Sequence, residues 1–398
     1  MSKLLKLENL TLLGSVLGIL CGLFLPELAT KLSILGELFI LLLKMVIVPL
    51  VFVSVYLAIA GQQSRENLSK LGIRTTLYFF VTSSIGCITG FIAAFFLPEV
   101  SKSGITYENY NSAKLQALSL KELILGFFTA NPFKSFAEGN IVQIVMVSLL
   151  VGIATLYIEK RKREVVVQLF DAINDIVMVL VRWILLLTPI GVFSLVASIV
   201  ATTDKSAFGG LGWLFLALAV AMLTHLLISL PALGYFVGRF NPYRFLVNVK
   251  EVMIVAISTA SSSATLPVST RVLKENEKVN PATAGFVLPL GATINMDGST
   301  IYQTLIVLFF AGLAGIHIGF TQQIYIFFLI LVSSVGTAGV PGGGILMMGA
   351  VLQNVGVPME YLGLYLLIDR LWDPPVTMIN VVSDLFGAKI IDRYQIRQ

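Results

Sequence analysis

Eight apolar runs, near residues 9–28, 33–60, 75–97, 122–157, 166–200, 211–238, 284–315 and 358–388, account for most of the chain. Each reaches the roughly 20 residues a helix needs to cross a bilayer, and the longer ones must tilt or bend. The fold class that follows is an all-α polytopic membrane protein. Composition agrees, since the 398 residues are 57% hydrophobic and 12% charged, with mean hydropathy +0.90. Soluble domains of this size carry about twice that charge. Lys3 and Lys6 precede the first run without a small-residue cleavage site, so the first span is expected to be retained. The net charge of +5 is spread out rather than gathered on one face, which argues against nucleic-acid binding. Cys21 and Cys87 lie inside apolar runs, excluding a disulfide framework and disfavouring structural zinc.

Basic residues cluster at the N-terminus, at Arg65 to Arg74, at Lys160 to Arg163 and at Arg239 to Lys250, after every second span. The positive-inside rule makes these loops, and the N-terminus, cytoplasmic. Two stretches then fail to cross. Arg239, Arg244 and Lys250 precede the apolar stretch 251–269, while Arg271, Lys274 and Lys278 follow it, so both flanks belong on one side. Its middle, Ala260-Ser261-Ser262-Ser263-Ala264, suits a hairpin tip better than a helix centre. Residues 322–357 likewise run between loops poor in basic residues, with Gly339-Val340-Pro341-Gly342-Gly343-Gly344 at the centre. Irregular backbone at membrane depth persists only when buried in protein or lining a cavity. Two opposed re-entrant hairpins with broken tips suggest an inverted repeat around a midplane site, as in many secondary transporters.

The last run carries Asp369, Asp373, Thr377, Asn380 and Asp384 in steps of four, four, three and four, all on one helix face. Such groups in an apolar span mark a protein interior, a water-filled cavity or a bound ion. The seventh run holds Gly291-Ala292-Thr293-Ile294-Asn295-Met296-Asp297-Gly298-Ser299, where Gly298 and the polar cluster are expected to unwind the helix. The carboxylate, amide oxygen, hydroxyls and freed carbonyls are the hard oxygen donors that a small cation takes. His225 and His317 stand apart and read as structural.

Ser261-Ser262-Ser263, NMDGS at 295–299, GTAGVPGGG at 336–344 and D-x3-D-x3-T-x2-N-x3-D at 369–384 occur in order along the chain. In order, spacing and topology these four motifs resemble the glutamate transporter family, the dicarboxylate/amino-acid:cation symporters. The resemblance covers nearly the whole chain. It implies eight transmembrane helices plus two opposed re-entrant hairpins, about 243–279 and 322–357. It implies a static scaffold from 1–74 and 121–205, and a mobile transport domain from 75–120 and 206–398, working as an elevator within a homotrimer. By the same resemblance, Ser262, Ser263 and Asn380 hold the substrate's main-chain carboxylate, with Ser299 and Thr377 beside them, and Asp373 binds its ammonium. Val340 to Gly344 would form the outer gate, and Val376 would line the side-chain pocket. Two to three sodium ions are implied. One would use Gly291, Asn295, Asn380 and Asp384, and a second the Thr293 and Met296 carbonyls with Ser334 and Thr337. A third would use Thr82, Ser83, Asn295 and Asp297, although a Thr-Ser pair in an apolar helix usually bonds back to its own backbone.

Three departures bear on specificity. Family members carrying acidic amino acids have an arginine immediately before the Thr-x-x-Asn of the last helix, where this chain has Val376. Members with an arginine before the hairpin serines differ too, since Ala260 stands here. Without a guanidinium fork, a buried second carboxylate loses its bidentate partner. Neutral amino acids are therefore expected over glutamate, aspartate or amine-free dicarboxylates. Arg370 keeps an alternative open. It lies two turns, about 10 Å, before Thr377 and could pair with Asp369 or Asp373, or reach a substrate carboxylate if Pro374-Pro375 distorts the helix. Finally, Gln303 stands where proton-coupled animal members carry a glutamate, which favours sodium, while Asp369 without its usual arginine leaves proton coupling open.

The expectation is a sodium-coupled amino-acid importer with no organic cofactor, embedded in membrane lipid. The setting is a prokaryotic plasma membrane, both termini cytoplasmic. A serine hydrolase would need a base near Ser262, and neither histidine nor a lysine is placed for it. A channel would show uptake that ignores the sodium gradient.

Overall fold

The computed structural model of the protein describes residues 7–61, 70–97, 125–126, 128–202, 210–336 and 343–395. Among them every regular element is a helix. The first four are α1 (Leu7–Phe24), α2 (Pro26–Lys31), α3 (Ser33–Ala60) and α4 (Lys70–Ala94). The first apolar run therefore stops earlier than its composition suggests, at Leu25, because Pro26 opens a new helix at its first position.

The fourth run is broken where its Asn, Pro and Gly residues predict. In α5 (Pro132–Glu138), the Asn131 side chain caps the helix by accepting from the Phe133 and Lys134 amides, and Gly139 ends it at φ +66°. Asn140 then caps α6 (Ile141–Thr155) by accepting from Gln143 N. The fifth run is a bent pair rather than one rod, with α7 (Lys160–Leu186) and α8 (Thr188–Thr202) meeting at 55°. Pro189, the second residue of α8, cannot donate back across the joint, which accounts for the bend.

The sixth run is α9 (Leu211–Phe236), interrupted by a π turn over His225–Ser229 in which the Leu230 amide donates to the His225 carbonyl. The short α10 (Pro242–Asn248) is capped by Asn241. Next come α11 (Lys250–Thr259) and α12 (Ser262–Asn276), packed against each other. Their reversal falls at Ala260, in the left-handed region at φ +46°, and Ser261, whose Oγ accepts from Ala264 N at 3.2 Å. The expected tip at 260–264 is there, but Ser262 and Ser263 already belong to the first turn of α12.

The seventh run divides into α13 (Pro281–Ile294) and α14 (Asp297–Leu313). Here the sequence reading needs correction. The break is Asn295-Met296, and Gly298 is helical. Gly298 is required for space instead: a Cβ there would collide with the Val376 carbonyl and come within 3.1 Å of Asn380 Oδ1. The pair α15 (Phe320–Gly336) and α16 (Gly343–Val355) also packs together, and its tip at 337–342, with Thr337 and Val340, lies outside the described residues. Last is α17 (Tyr361–Gln395), 35 residues long and unbroken through Pro374 and Pro375, so the prolines do not open the helix around Arg370.

Packing gathers most of the helices into two groups, which meet where α17 lies along α8 and where α15 and α16 pack on α3. α1 lies along α8, and α3 packs on α6, α7 and α8. Gly14, Gly18 and Gly22, at steps of four, let α1 approach closely: a Cβ on Gly18 would sit 2.6 Å from the Phe193 carbonyl, and one on Gly22 2.6 Å from that of Ala197. In the other set α14 lies against α4, α9 and α17, while α11, α12 and α13 also pack on α17. Among the described residues four helices are long and apolar enough to cross a membrane, or five counting the bent pair. Leu71–Ala94 and Leu211–Phe236 are 39% buried and Pro281–Leu313 is 89% buried. The first two therefore present wide apolar faces outward, whereas the broken helix is enclosed by protein. A largely enclosed span with a central break is where buried polar groups can be satisfied.

Candidate functional site

The break between α13 and α14 leaves Asn295 and Asp297 with no exposed surface, and neighbouring elements supply their partners. Ser83 Oγ on α4 donates to Asp297 Oδ1 at 2.7 Å, and Ser383 Oγ on α17 donates to Oδ2 at 2.6 Å. His225 Nε2, from the π turn of α9, lies 3.3 Å from the same Oδ2. Three helices thus converge on the carboxylate that opens α14. Thr82 Oγ1 lies 3.1 Å from Asn295 Oδ1, although it also faces the Tyr78 carbonyl in its own helix. The Thr82-Ser83 pair is therefore more than back-bonded.

On the other side of the break, Asn295 Nδ2 donates to Asp384 Oδ1 at 2.9 Å and to Ser383 Oγ at 3.0 Å. Gly291 lies directly on the Asp384 carboxylate. Asn380 is the second link: its Oδ1 accepts from Gly298 N at 2.8 Å and Ser299 N at 3.3 Å, capping α14 from another helix. Its Nδ2 lies 3.3 Å from Ser299 Oγ and 3.4 Å from Met296 Sδ. Gly291, Asn295, Asn380 and Asp384 are brought together, as are Thr82, Ser83, Asn295 and Asp297. Carboxylate, amide and hydroxyl oxygens with helix-end carbonyls are the donor set of an alkali cation rather than of a soft transition metal.

The remaining expected ion ligands gather less completely. Ser334 is buried, but its hydroxyl donates to Leu331 O at 2.8 Å within its own helix. Thr293 Oγ1 turns back to Leu290 O. The Met296 carbonyl already accepts from Thr300 N at 2.9 Å, which leaves one lone pair for another partner.

Toward the N-terminal half of α17 the stripe becomes the wall of a second region. Thr377 and Val376 are buried and Asp373 is half-buried. Asp369 has the Tyr365 and Tyr302 hydroxyls and the Arg370 guanidinium as polar neighbours, with Tyr302 Oη outside hydrogen-bond geometry. Arg370 is exposed and forms none of the close ion pairs. Gly344 opens α16 toward this wall, where a Cβ would lie 3.2 Å from Tyr365 Oη. Ser262 is buried and Ser263 exposed at the start of α12, which packs on α17. A groove of about 920 Å³ between Ile228, Tyr235, Arg239 and Tyr243 shares no residue with this cluster.

Sequence reasoning missed three contributors. Ser383 adjoins Asp384 and falls three residues after Asn380, so it could have been counted in the polar face. Tyr78 Oη donates to the Ser383 carbonyl at 3.1 Å, a contact without a sequence signal. His225 reads as structural by isolation, yet it reaches Asp297. An ionisable residue inside an apolar span was the available signal. Its other nitrogen, Nδ1, is buried without a partner. Leaving such a group unpaired costs about 1–3 kcal/mol, so the Asp297 contact holds the ring against a penalty.

The sequence pattern of the family described as "Sodium:dicarboxylate symporter family" matches residues 7–394. The chain is 32% identical to neutral amino acid transporter B(0) of Mus musculus, over 93% of this chain and 75% of that one. It is 31% identical to the Homo sapiens protein of the same name, over 93% and 74%. With the proton/sodium-glutamate symport protein of Bacillus subtilis (strain 168) it shares 29% identity, over 96% and 91%.

Proposed function

The chain belongs to the sodium:dicarboxylate symporter family and is a transporter, not an enzyme; from that membership we propose that it imports a neutral amino acid together with sodium. The observation that carries the substrate class is Val376. It is buried in the polar face of α17 between Asp373 and Thr377, so the wall beside the ammonium site has an aliphatic lining and no guanidinium. Arg370, the one arginine nearby on that helix, is exposed. An aliphatic or small polar side chain gains from contact with Val376, while a second carboxylate would be desolvated without a bidentate partner. Relatives named as neutral amino acid transporters are consistent with this.

In this reading Asp373 takes the substrate ammonium, and Ser262, Ser263, Ser299, Thr377 and Asn380 surround its carboxylate, with Val340 and Gly344 at the outer gate. Two to three sodium ions are carried, at the Asn295–Asn380–Asp384 cluster, at the Asp297 cluster, and at Thr293, Met296, Ser334 and Thr337. Eight spans and two re-entrant hairpins, α11–α12 and α15–α16, complete the architecture. The close packing within α1, α3, α6, α7 and α8, and within α4, α9, α11 to α14 and α17, with α8 and α17 meeting between the two groups, supports a static scaffold beside a moving transport domain. The same reading includes an elevator motion in a homotrimer of the plasma membrane with both termini cytoplasmic, as the family resemblance implies.

The test is a thermal-shift screen of amino acids with and without sodium, followed by uptake into liposomes under a sodium gradient. Alanine, serine, threonine, methionine or leucine should stabilise the protein only when sodium is present. Strong stabilisation by aspartate, with none from these, would establish the second reading, an acidic amino-acid or dicarboxylate symporter using Arg370. That reading draws on the relatives named as glutamate symporters.

A further inference from the structure

We propose that His225 is a positioning residue for the cation at Asp297, fixing which carboxylate oxygen the ion can use. The imidazole comes from α9, an element with no other polar contact to the cluster, and it is fully buried against a fully buried carboxylate. It sits at the start of the π turn, where one extra residue per turn changes the face that the helix presents to α14. Among the described residues Asp297 Oδ1 is held by the Ser83 hydroxyl alone, whereas Oδ2 is held by Ser383 and His225.

The two sides differ in one chemical respect. A hydroxyl can rotate its proton away and offer the cation a lone pair. An imidazole N–H has no such freedom, because the proton lies in the ring plane. As the Nε2–H tautomer, His225 keeps a donor on Oδ2 at all times, and with Ser383 donating to the same oxygen no lone pair is left there for the ion. The ion is confined to the Oδ1 side, where Ser83, Thr82 and Asn295 supply the remaining oxygens. Partners that orient a ligating carboxylate commonly govern metal affinity about 10- to 100-fold without touching the ion.

This inference rests on sodium being the ion bound at Asp297. The experiment compares the full-length wild-type protein with His225→Leu, which removes the donor, and His225→Gln, which restores an N–H donor on a flexible stem. Sodium is titrated against thermal stability of the purified protein without amino acid, and against initial uptake in liposomes. His225→Leu should raise the half-saturating sodium concentration about tenfold or more, with amino-acid affinity at saturating sodium within about twofold. His225→Gln should return the sodium requirement to within about threefold of wild type. Unchanged sodium dependence in His225→Leu, or a glutamine variant no better than leucine, overturns the proposal. If the leucine variant does not fold, the glutamine variant alone decides, since a sodium requirement shifted beyond threefold removes the role of the donor. A wild-type protein indifferent to sodium would instead overturn the functional reading itself.

Discussion

Gly291→Ala tests the cation site with the smallest available perturbation. The added methyl would lie 2.5 Å from Asp384 Cγ and 3.0 Å from Oδ2, and closer still to Oδ1. Carbon contacts settle near 3.5–4.0 Å, so the carboxylate must withdraw by roughly 1 Å. The 2.9 Å bond from Asn295 Nδ2 to Asp384 Oδ1 would then stretch beyond hydrogen-bonding range. Overpacking of this kind costs about 1–3 kcal/mol, and the lost bond to a charged acceptor is of similar size. If about 1.4–3 kcal/mol of that appears in ion binding, the half-saturating sodium concentration rises roughly 10- to 150-fold. Sodium titration of thermal stability, with uptake as a second readout, measures it directly. The control lies on the same helix: Gly285→Ala adds a methyl with nothing within 4 Å and should leave sodium dependence unchanged. A Gly291→Ala protein that folds and titrates sodium like wild type would show that Asp384 is not held as a ligand, and the ion assignment at Asn295, Asn380 and Asp384 would fall with it.

Three further outcomes follow from particular contacts. Val376→Arg should move preference toward aspartate and glutamate, lowering neutral amino-acid affinity about tenfold or more by competition binding; undiminished alanine or serine binding would remove Val376 from the pocket. Lys389→Met should lower stability by on the order of 2 kcal/mol in thermal unfolding, because it leaves the largely buried Glu277, 3.2 Å from Lys389 Nζ, without its cation. Gly18→Leu should separate α1 from α8 and destabilise the protein by about 1–3 kcal/mol or more without altering sodium dependence, as the side chain has no room beside the Phe193 carbonyl; a matching shift in sodium titration would show that the strain reaches the ion site through the α8–α17 contact.

The fold was legible wherever the sequence carried a local mechanism. Asn131-Pro132, Asn241-Pro242 and Asn280-Pro281 each cap and open a helix, and Gly139 closes one. The polar face of α17 could be read from spacing alone, because a helix projects residues three and four apart onto one side. What spacing could not provide was partner identity. The polar cluster marks the break at Asn295-Met296, but Gly298, the better helix breaker in isolation, is helical. In the structure its missing side chain instead admits the Val376 carbonyl and Asn380. His225 lies 72 positions from Asp297, and no local pattern predicts a contact at that separation.

Asn380 explains how ion and substrate sites can be coupled without a long relay. Its Oδ1 is committed to the Gly298 and Ser299 amides, and its Nδ2 faces Ser299 Oγ. Four residues further along α17, Asp384 is bonded to Asn295, just ahead of the same break. The broken helix and α17 are therefore pinned to each other on both sides of Met296. An ion that draws in Asn295 and Asp384 fixes the register of α17, and with it the position of Thr377 and Asp373 one and two to three turns away. Substrate held by Asp373 and Thr377 restrains the same register in return. Linkage makes the enhancement of amino-acid affinity by sodium equal to the enhancement of sodium affinity by amino acid, and because Asn380 bears on both sites, a substitution that loosens the Asn380–Gly298 contact should weaken sodium and amino acid together rather than either alone. Asn380→Ala provides that test: parallel losses in both titrations are expected, and a loss confined to one would place the coupling elsewhere.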